Sequence, residues 1–213
     1  SYRTATVKES AESDLRRWQI EFISYSLAHK KPQEAKAVLS EIPIDIRKSR
    51  MIEIIPLEVQ IAAQTGSLKP LLDRYSAEPD LPARLEFIRN GANDLQKSGN
   101  PTASRQVLAF VYTRQLEQHD LTPATFLGLA EIRLQEGDTN GAVTFLRRMA
   151  LVAGEPFENL KEAAALLTKL GHSAEATEFL KQRVQAVPWD LDARAQLAGA
   201  GQDAVPADKP YAY

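Results

Sequence analysis

The sequence predicts an all-α fold in which helical hairpins stack side by side as an α-solenoid. Four of its ten glycines, Gly66, Gly99, Gly137 and Gly171, lie 33, 38 and 34 residues apart. Each follows one stretch with apolar residues at helical spacing and precedes another, so each is expected to end the first helix of a hairpin. A period of about 34 residues is typical of helical-pair arrays, because one hairpin cannot bury its own apolar face.

The clearest hairpin covers residues 157–188. Its first helix is predicted from an apolar stripe of Leu160, Ala163, Ala164 and Leu167, spaced i, i+3, i+4 and i+7. Its second helix is predicted from Ala176, Leu180 and Val184, which recur every four residues. Pro188 follows, where a helix is expected to have ended. Residues 123–154 repeat this register 34 positions earlier, with Gly137 at the turn.

The three upstream hairpins follow the same pattern less closely. One position near the start of each second helix aligns all five hairpins at steps of 36, 33, 38 and 34 residues: Ala35, Leu71, Ser104, Ala142 and Ala176. Small residues at this position and in the first helices indicate close helix contacts. They are Ala35, Ala142 and Ala176 in the second helices and Gly91, Ala92, Ala163 and Ala164 in the first.

Three departures from the pattern carry predictions of their own. Lys30 stands where the first hairpin lacks a glycine. Pro56 lies inside a predicted helix and is expected either to kink it or to make it start late. The 38-residue step predicts a second helix extended by about one turn towards His119.

Residues 123–154 and 157–188 resemble the tetratricopeptide repeat. That family's pattern has a large residue, then Leu and a small residue, a turn Gly, a small residue five positions on and a final Pro. Arg133 and Gly154 depart from it. The resemblance implies a right-handed α-solenoid of about five hairpins plus a C-terminal capping helix over residues 191–198. We expect an N-terminal extension over residues 1–10, the repeat domain over 11–198 and a flexible tail over 199–213.

The resemblance also implies a concave groove that binds a peptide segment or a domain of another protein. Its lining is expected at positions 2, 5, 9 and 12 of the first helices: Glu86, Arg89, Asn93, Gln96, Leu127, Glu131, Leu134, Lys161 and Thr168. Arg89 and Asn93 lie one turn apart, so the Asn amide is suited to a peptide backbone and the Arg to a carboxylate. The alternative is that both side chains are merely solvated.

Composition and motifs argue against other chemistry. A formal charge of -2 gives no electrostatic reason to bind nucleic acid or an anionic membrane. No long apolar run or enzyme motif occurs, and there is no cysteine. His29, His119 and His172 are isolated from one another, so we expect no metal site and no cofactor. The compartment stays open between cytoplasm and periplasm.

Both tryptophans are interpreted as structural. Trp18 lies in helical phase with Leu15 and Phe22 and is expected in the core. Trp189 follows Pro188 and is expected to fill the gap between consecutive hairpins.

The predicted function is a non-catalytic scaffold for protein interactions. Two alternatives stay open: a regulatory or substrate-presenting module of a larger enzyme or envelope protein, and self-association through the unfinished C-terminal repeat. The chain does not begin with Met, so we interpret it as a processed product or a piece of a longer protein.

Overall fold

The protein is all-helical in the part of the chain that the computed structural model describes, residues 2–119, 121–152 and 156–199. Side chains are described for residues 14–119, 121–149 and 159–199. The helices are α1 (Tyr2–Ala28), α2 (Pro32–Glu41), α3 (Ile44–Ser49), α4 (Met51–Gln64), α5 (Leu68–Ser76), α6 (Leu81–Lys97), α7 (Pro101–Glu117), α8 (Pro123–Gln135), α9 (Thr139–Val152), α10 (Pro156–Lys169), α11 (Ser173–Ala186) and α12 (Leu191–Gly199).

One turn recurs at the five places where the sequence predicts that a first helix ends. Gly66, Gly99, Gly137 and Gly171 have φ between 72° and 84°, the left-handed region that favours glycine. Lys30 takes the same conformation with φ 58°. In each turn the next amide N–H donates to the carbonyl five residues back. The donors and acceptors are Lys31 to Ser26, Ser67 to Ala62, Asn100 to Leu95, Asp138 to Arg133 and His172 to Leu167, at 2.8 to 2.9 Å.

The second helices also begin alike. In each hairpin, the residue after the one with positive φ accepts a hydrogen bond at its carbonyl from the backbone N–H four positions later. The donors are Ala35, Leu71, Ser104, Ala142 and Ala176. These are the five residues that align the hairpins in the sequence, and each is at most 9% exposed. The predicted register and the predicted turn positions are therefore confirmed.

A glycine at the first of these turns should stabilise the protein. Lys30→Gly is expected to raise the free energy of unfolding by about 0.5 to 1 kcal/mol, because a residue with a Cβ is strained at positive φ. Urea unfolding followed by circular dichroism measures the change. Lys31→Gly is the control, since Lys31 has φ -112°. If Lys30→Gly lowered the unfolding midpoint, the left-handed assignment would be wrong.

The apolar faces of the hairpins form continuous cores. One cluster joins α1, α2 and α4, and a second joins α4 through α7. A third joins α8 through α12. Residues up to Val111 form one compact unit and residues from Tyr112 form another. No helix in the described residues is both long and apolar enough to cross a membrane.

Several finer expectations can be compared with the helices. Pro56 lies inside α4, which begins five residues earlier, so the late start is wrong. α7 runs to Glu117, and His119 follows with φ 62°, which confirms the longer second helix.

Residues 2–10, expected as an N-terminal extension, belong to α1. The terminal helix expected over residues 191–198 is present as α12. The predicted tail, except for Gly199, lies outside the described residues.

Both tryptophan predictions are wrong. Trp18 is 56% exposed, and Leu15, in phase with it, is 48% exposed. The core-facing side of α1 is instead formed by residues such as Ile23 and Leu27. Helical phase groups side chains on one face of a helix, but it does not say which face is covered. Trp189 is 64% exposed, so it does not fill a gap.

Candidate functional site

The predicted row on α6 lies beside the core face of the helix, about a quarter turn around the helix axis from it. Leu85, Ile88, Ala92 and Leu95 are buried at helical spacing and fix the orientation of α6. The row itself is exposed except for Arg89, which is half-buried; its members are Glu86, Arg89, Asn93 and Gln96.

The side chains of this row are not engaged elsewhere. Among the described residues, none forms a hydrogen bond or ion pair with the side chains of Glu86, Arg89, Asn93 or Gln96. Glu86 and Arg89 are three residues apart, yet they do not pair. The row therefore carries a guanidinium, two amides and a carboxylate that are all available to a ligand.

The helix that carries this row, α6, is held by a contact between two first helices. Gln60 on α4 donates to Asp94 on α6 at 3.4 Å. Gly91 on α6 lies against α4 so closely that an added Cβ would be 2.8 Å from the Cβ of Val59. α6 is therefore packed closely on α4 at Gly91, through a face of α6 that the row does not occupy.

The predicted lining on α8 is less polar. Leu134 is 9% exposed and belongs to the core cluster, so it is not available at the surface. Leu127 is half-buried and packs against the same cluster. Glu131 is exposed. On α8, only Glu131 of these three therefore presents a charged group.

The predicted lining on α10 is partly occupied. Lys161 donates to Asp192 on α12 at 3.2 Å, an ion pair between helices. Thr168 is exposed near the end of α10. The structure thus brings four available polar side chains together on α6 and leaves the remaining predicted residues apolar, bonded or singly exposed.

A cleft of about 650 Å³ beside α3 was missed by sequence reasoning. It opens between α3, α4, α5 and the start of α6. Four basic side chains line it: Arg47, Lys48, Arg74 and Arg84. Three acidic side chains line it as well: Glu58, Glu78 and Asp80. The one sequence feature that could have indicated this cleft is the group of basic residues within 47–50, in the connection between the first two hairpins.

Most of the charges in this cleft neutralise one another. Arg74 pairs with Glu58 at 2.9 Å, and Arg84 pairs with both Glu78 and Asp80. The hydrogen bond from Arg84 holds the pKa of Asp80 below its usual value. The cleft is therefore lined by an ion-pair network in which basic side chains outnumber acidic ones by one. Among the described residues that line it, no cluster of like charges is left unpaired to attract a charged ligand.

The Glu58 carboxylate also accepts a hydrogen bond from a buried tyrosine. Tyr75 is 0% exposed, and its hydroxyl donates to Glu58 at 2.5 Å. Burial raises the pKa of Tyr75, and the neighbouring Glu58 carboxylate raises it further. Tyr75 stays protonated and joins α5 to α4, so this group is structural.

A buried ion pair holds the terminal helix. Arg183 on α11 donates to Asp190 at 2.8 Å, and both side chains are 8% exposed. Asp190 also accepts from the backbone N–H of Ala193 at 3.0 Å. The pKa of Asp190 is lowered by that backbone bond and by Arg183. Asp190 therefore caps α12 and attaches it to the last hairpin.

The histidines lie at helix ends. His29 and His119 are exposed, and His172 immediately precedes α11. Within the described residues, no group of three or more His, Cys, Asp or Glu side chains is placed to hold a metal ion.

Comparison with known proteins gives no relative. No protein-family model, curated protein or solved structure matches this chain. The functional interpretation therefore depends on the residues of the chain itself.

Proposed function

We propose that this chain is a non-catalytic scaffold of the tetratricopeptide type, an α-solenoid whose first helices bind an extended segment of another protein. The main support is the available polar row on α6, formed by Glu86, Arg89, Asn93 and Gln96. The five recurring turns support the repeat part of the proposal, because the same turn ends a first helix at near-regular intervals along the chain.

The chemistry of the row suits a peptide better than a small molecule. Arg89 and Asn93 are one helical turn apart, so they lie about 6 Å from each other along the helix. That distance matches nearly two residues of an extended chain. The Asn93 amide can both donate a hydrogen bond to a peptide group and accept one from it. Arg89 can form a bidentate ion pair with a carboxylate.

Loss of these two side chains should weaken peptide binding without affecting stability. Peptides are first selected on the parent protein from a phage-displayed random library. For these peptides, Arg89→Ala with Asn93→Ala is expected to raise the dissociation constant about tenfold or more, measured by fluorescence anisotropy. The melting temperature should stay unchanged, because both side chains lack partners in the described structure.

The control for this test removes the same kind of groups elsewhere. Lys181→Ala with Gln185→Ala deletes one positive charge and one amide, also four residues apart, from α11. Lys181 is half-buried and Gln185 is exposed, which matches Arg89 and Asn93. Equal binding by the parent and the α6 double variant would contradict the proposal, as would failure to select any peptide that binds at micromolar concentration.

A further inference from the structure

An exposed apolar stripe runs along α1. Leu15, Trp18 and Tyr25 are 48%, 56% and 57% exposed, and Phe22 lies between them half-buried. The rings of Trp18 and Phe22 stack with their centroids 5.3 Å apart. The core side of α1 is a different face, formed by residues such as Ile23. A contiguous stripe of this kind marks an interaction surface.

The stripe occupies the side of a first helix that is covered in the other hairpins. In the register that aligns the five hairpins, the residues equivalent to Trp18 are buried or half-buried: Ile54, Phe87, Thr125 and Asn159. The equivalent of Phe22 in α6 is Gly91, which packs against α4 of the preceding hairpin.

α1 packs against α2 and α4, both of which follow it in the chain. The stripe is therefore the face on which a preceding helix would pack, and in the described structure it is exposed.

The stripe is suited to a second copy of itself. Its four residues are spaced three, four and three positions apart. These spacings read the same in both directions along the helix, so the stripe matches a copy of itself that runs antiparallel. Two antiparallel α1 helices related by a two-fold axis near Ile20 would place Leu15 opposite Tyr25 and Trp18 opposite Phe22. Every large side chain of the stripe would then face another.

The charges beside the stripe are complementary in the same arrangement. Arg17 and Glu21 are exposed and pair within one helix at 2.9 Å. With the axis near Ile20, Arg17 of one copy lies about 3 Å along the helix from Glu21 of the other, since the rise is about 1.5 Å per residue. The two pairs can exchange partners across the interface. In a parallel two-fold arrangement the flanks that carry Arg17 and Glu21 would lie on opposite sides of the interface, so these pairs could not exchange partners.

We propose that the protein forms a two-fold symmetric dimer through antiparallel packing of α1 on α1 of a second copy, with Leu15, Trp18, Phe22 and Tyr25 as its core. This surface differs from the α6 row, and the inference does not depend on the proposed peptide binding.

Sedimentation velocity between about 1 and 200 µM tests the dimer, a range that covers weak to moderate association. The parent is expected to reach about 47 kDa, twice the 23.6 kDa of one chain. Trp18→Lys with Tyr25→Lys should raise the dimer dissociation constant about 100-fold, because buried aromatics dominate such interfaces. Circular dichroism should show unchanged helicity, since both residues are exposed in the monomer.

Trp189→Lys is the matched control and also tests the C-terminal route predicted from the sequence. Trp189 is the other tryptophan and is 64% exposed. We expect this variant to dimerise like the parent. Three results would overturn the proposal: a parent that stays at 23.6 kDa throughout, loss of the dimer in Trp189→Lys alone, or a mass that grows beyond a dimer.

Disulfide trapping tests the antiparallel geometry, and the chain has no cysteine to interfere. Asp14→Cys and Ala28→Cys are both at exposed positions bordering the stripe. In the antiparallel dimer, residue 14 of one copy lies close to residue 28 of the other, whereas two copies of residue 14 lie about 18 Å apart along the helices. A mixture of the two variants should cross-link and each variant alone should not. Cross-linking of Asp14→Cys with itself would indicate parallel packing and refute the model of the interface.

Discussion

Gly91→Leu is expected to lower the free energy of unfolding by about 3 kcal/mol or more. Leucine is among the better helix formers and glycine among the worst, so an open helical site would gain stability from this change. At Gly91 the first added carbon would lie 2.8 Å from the Cβ of Val59 and 3.2 Å from the Cα of Pro56. Neither atom is the end of a flexible side chain, so α4 and α6 must separate.

Chemical denaturation of Gly91→Leu and Gly91→Ala measures the effect, and the alanine variant should lose less. Ala83→Leu is the control, because Ala83 is an exposed position on the same helix. It should be close to neutral. A Gly91→Leu variant as stable as the parent would mean that α4 and α6 do not cross at this glycine.

Ala176→Trp is expected to destabilise the protein by about 3 kcal/mol, at the upper end for overpacking. Ala176 is 2% exposed and lies in the core cluster of the last two hairpins and α12. An indole there displaces neighbours that are already close-packed.

Thermal unfolding of Ala174→Trp provides the comparison, because Ala174 is exposed on the same helix and the substitution is identical. Only the position relative to the core differs. An unchanged melting temperature for Ala176→Trp would show that the hairpin register is wrong.

The turns could be predicted because their cause is local. Left-handed φ favours glycine, and four glycines at repeat intervals identify four of the five turns. Lys30 could be placed only by counting from them, since lysine by itself gives no sign of positive φ. The helix α3 was not predicted, because six residues are too few for a periodic pattern.

The candidate site was predictable in part. Repeat position placed Arg89 and Asn93 off the core face of α6, because helical phase relative to Ile88 and Ala92 determines their side of the helix; Asn93 is exposed and Arg89 is half-buried. The same rule failed for Leu134, where the neighbouring helices cover the position. The pairing of Lys161 with Asp192 joins residues from different hairpins, and no local pattern indicates such a contact.

The sequence by itself determined the all-helical class, the five turns and the register of the hairpins, because each follows from local backbone preference and helical period. Only the tertiary structure decided which helix faces are covered. Trp18 is exposed although it looks like a core residue, since burial depends on whether a neighbour is present to pack against it. Gly91 is the converse case: its small size is a local property, but the close approach of α4 that requires it is not.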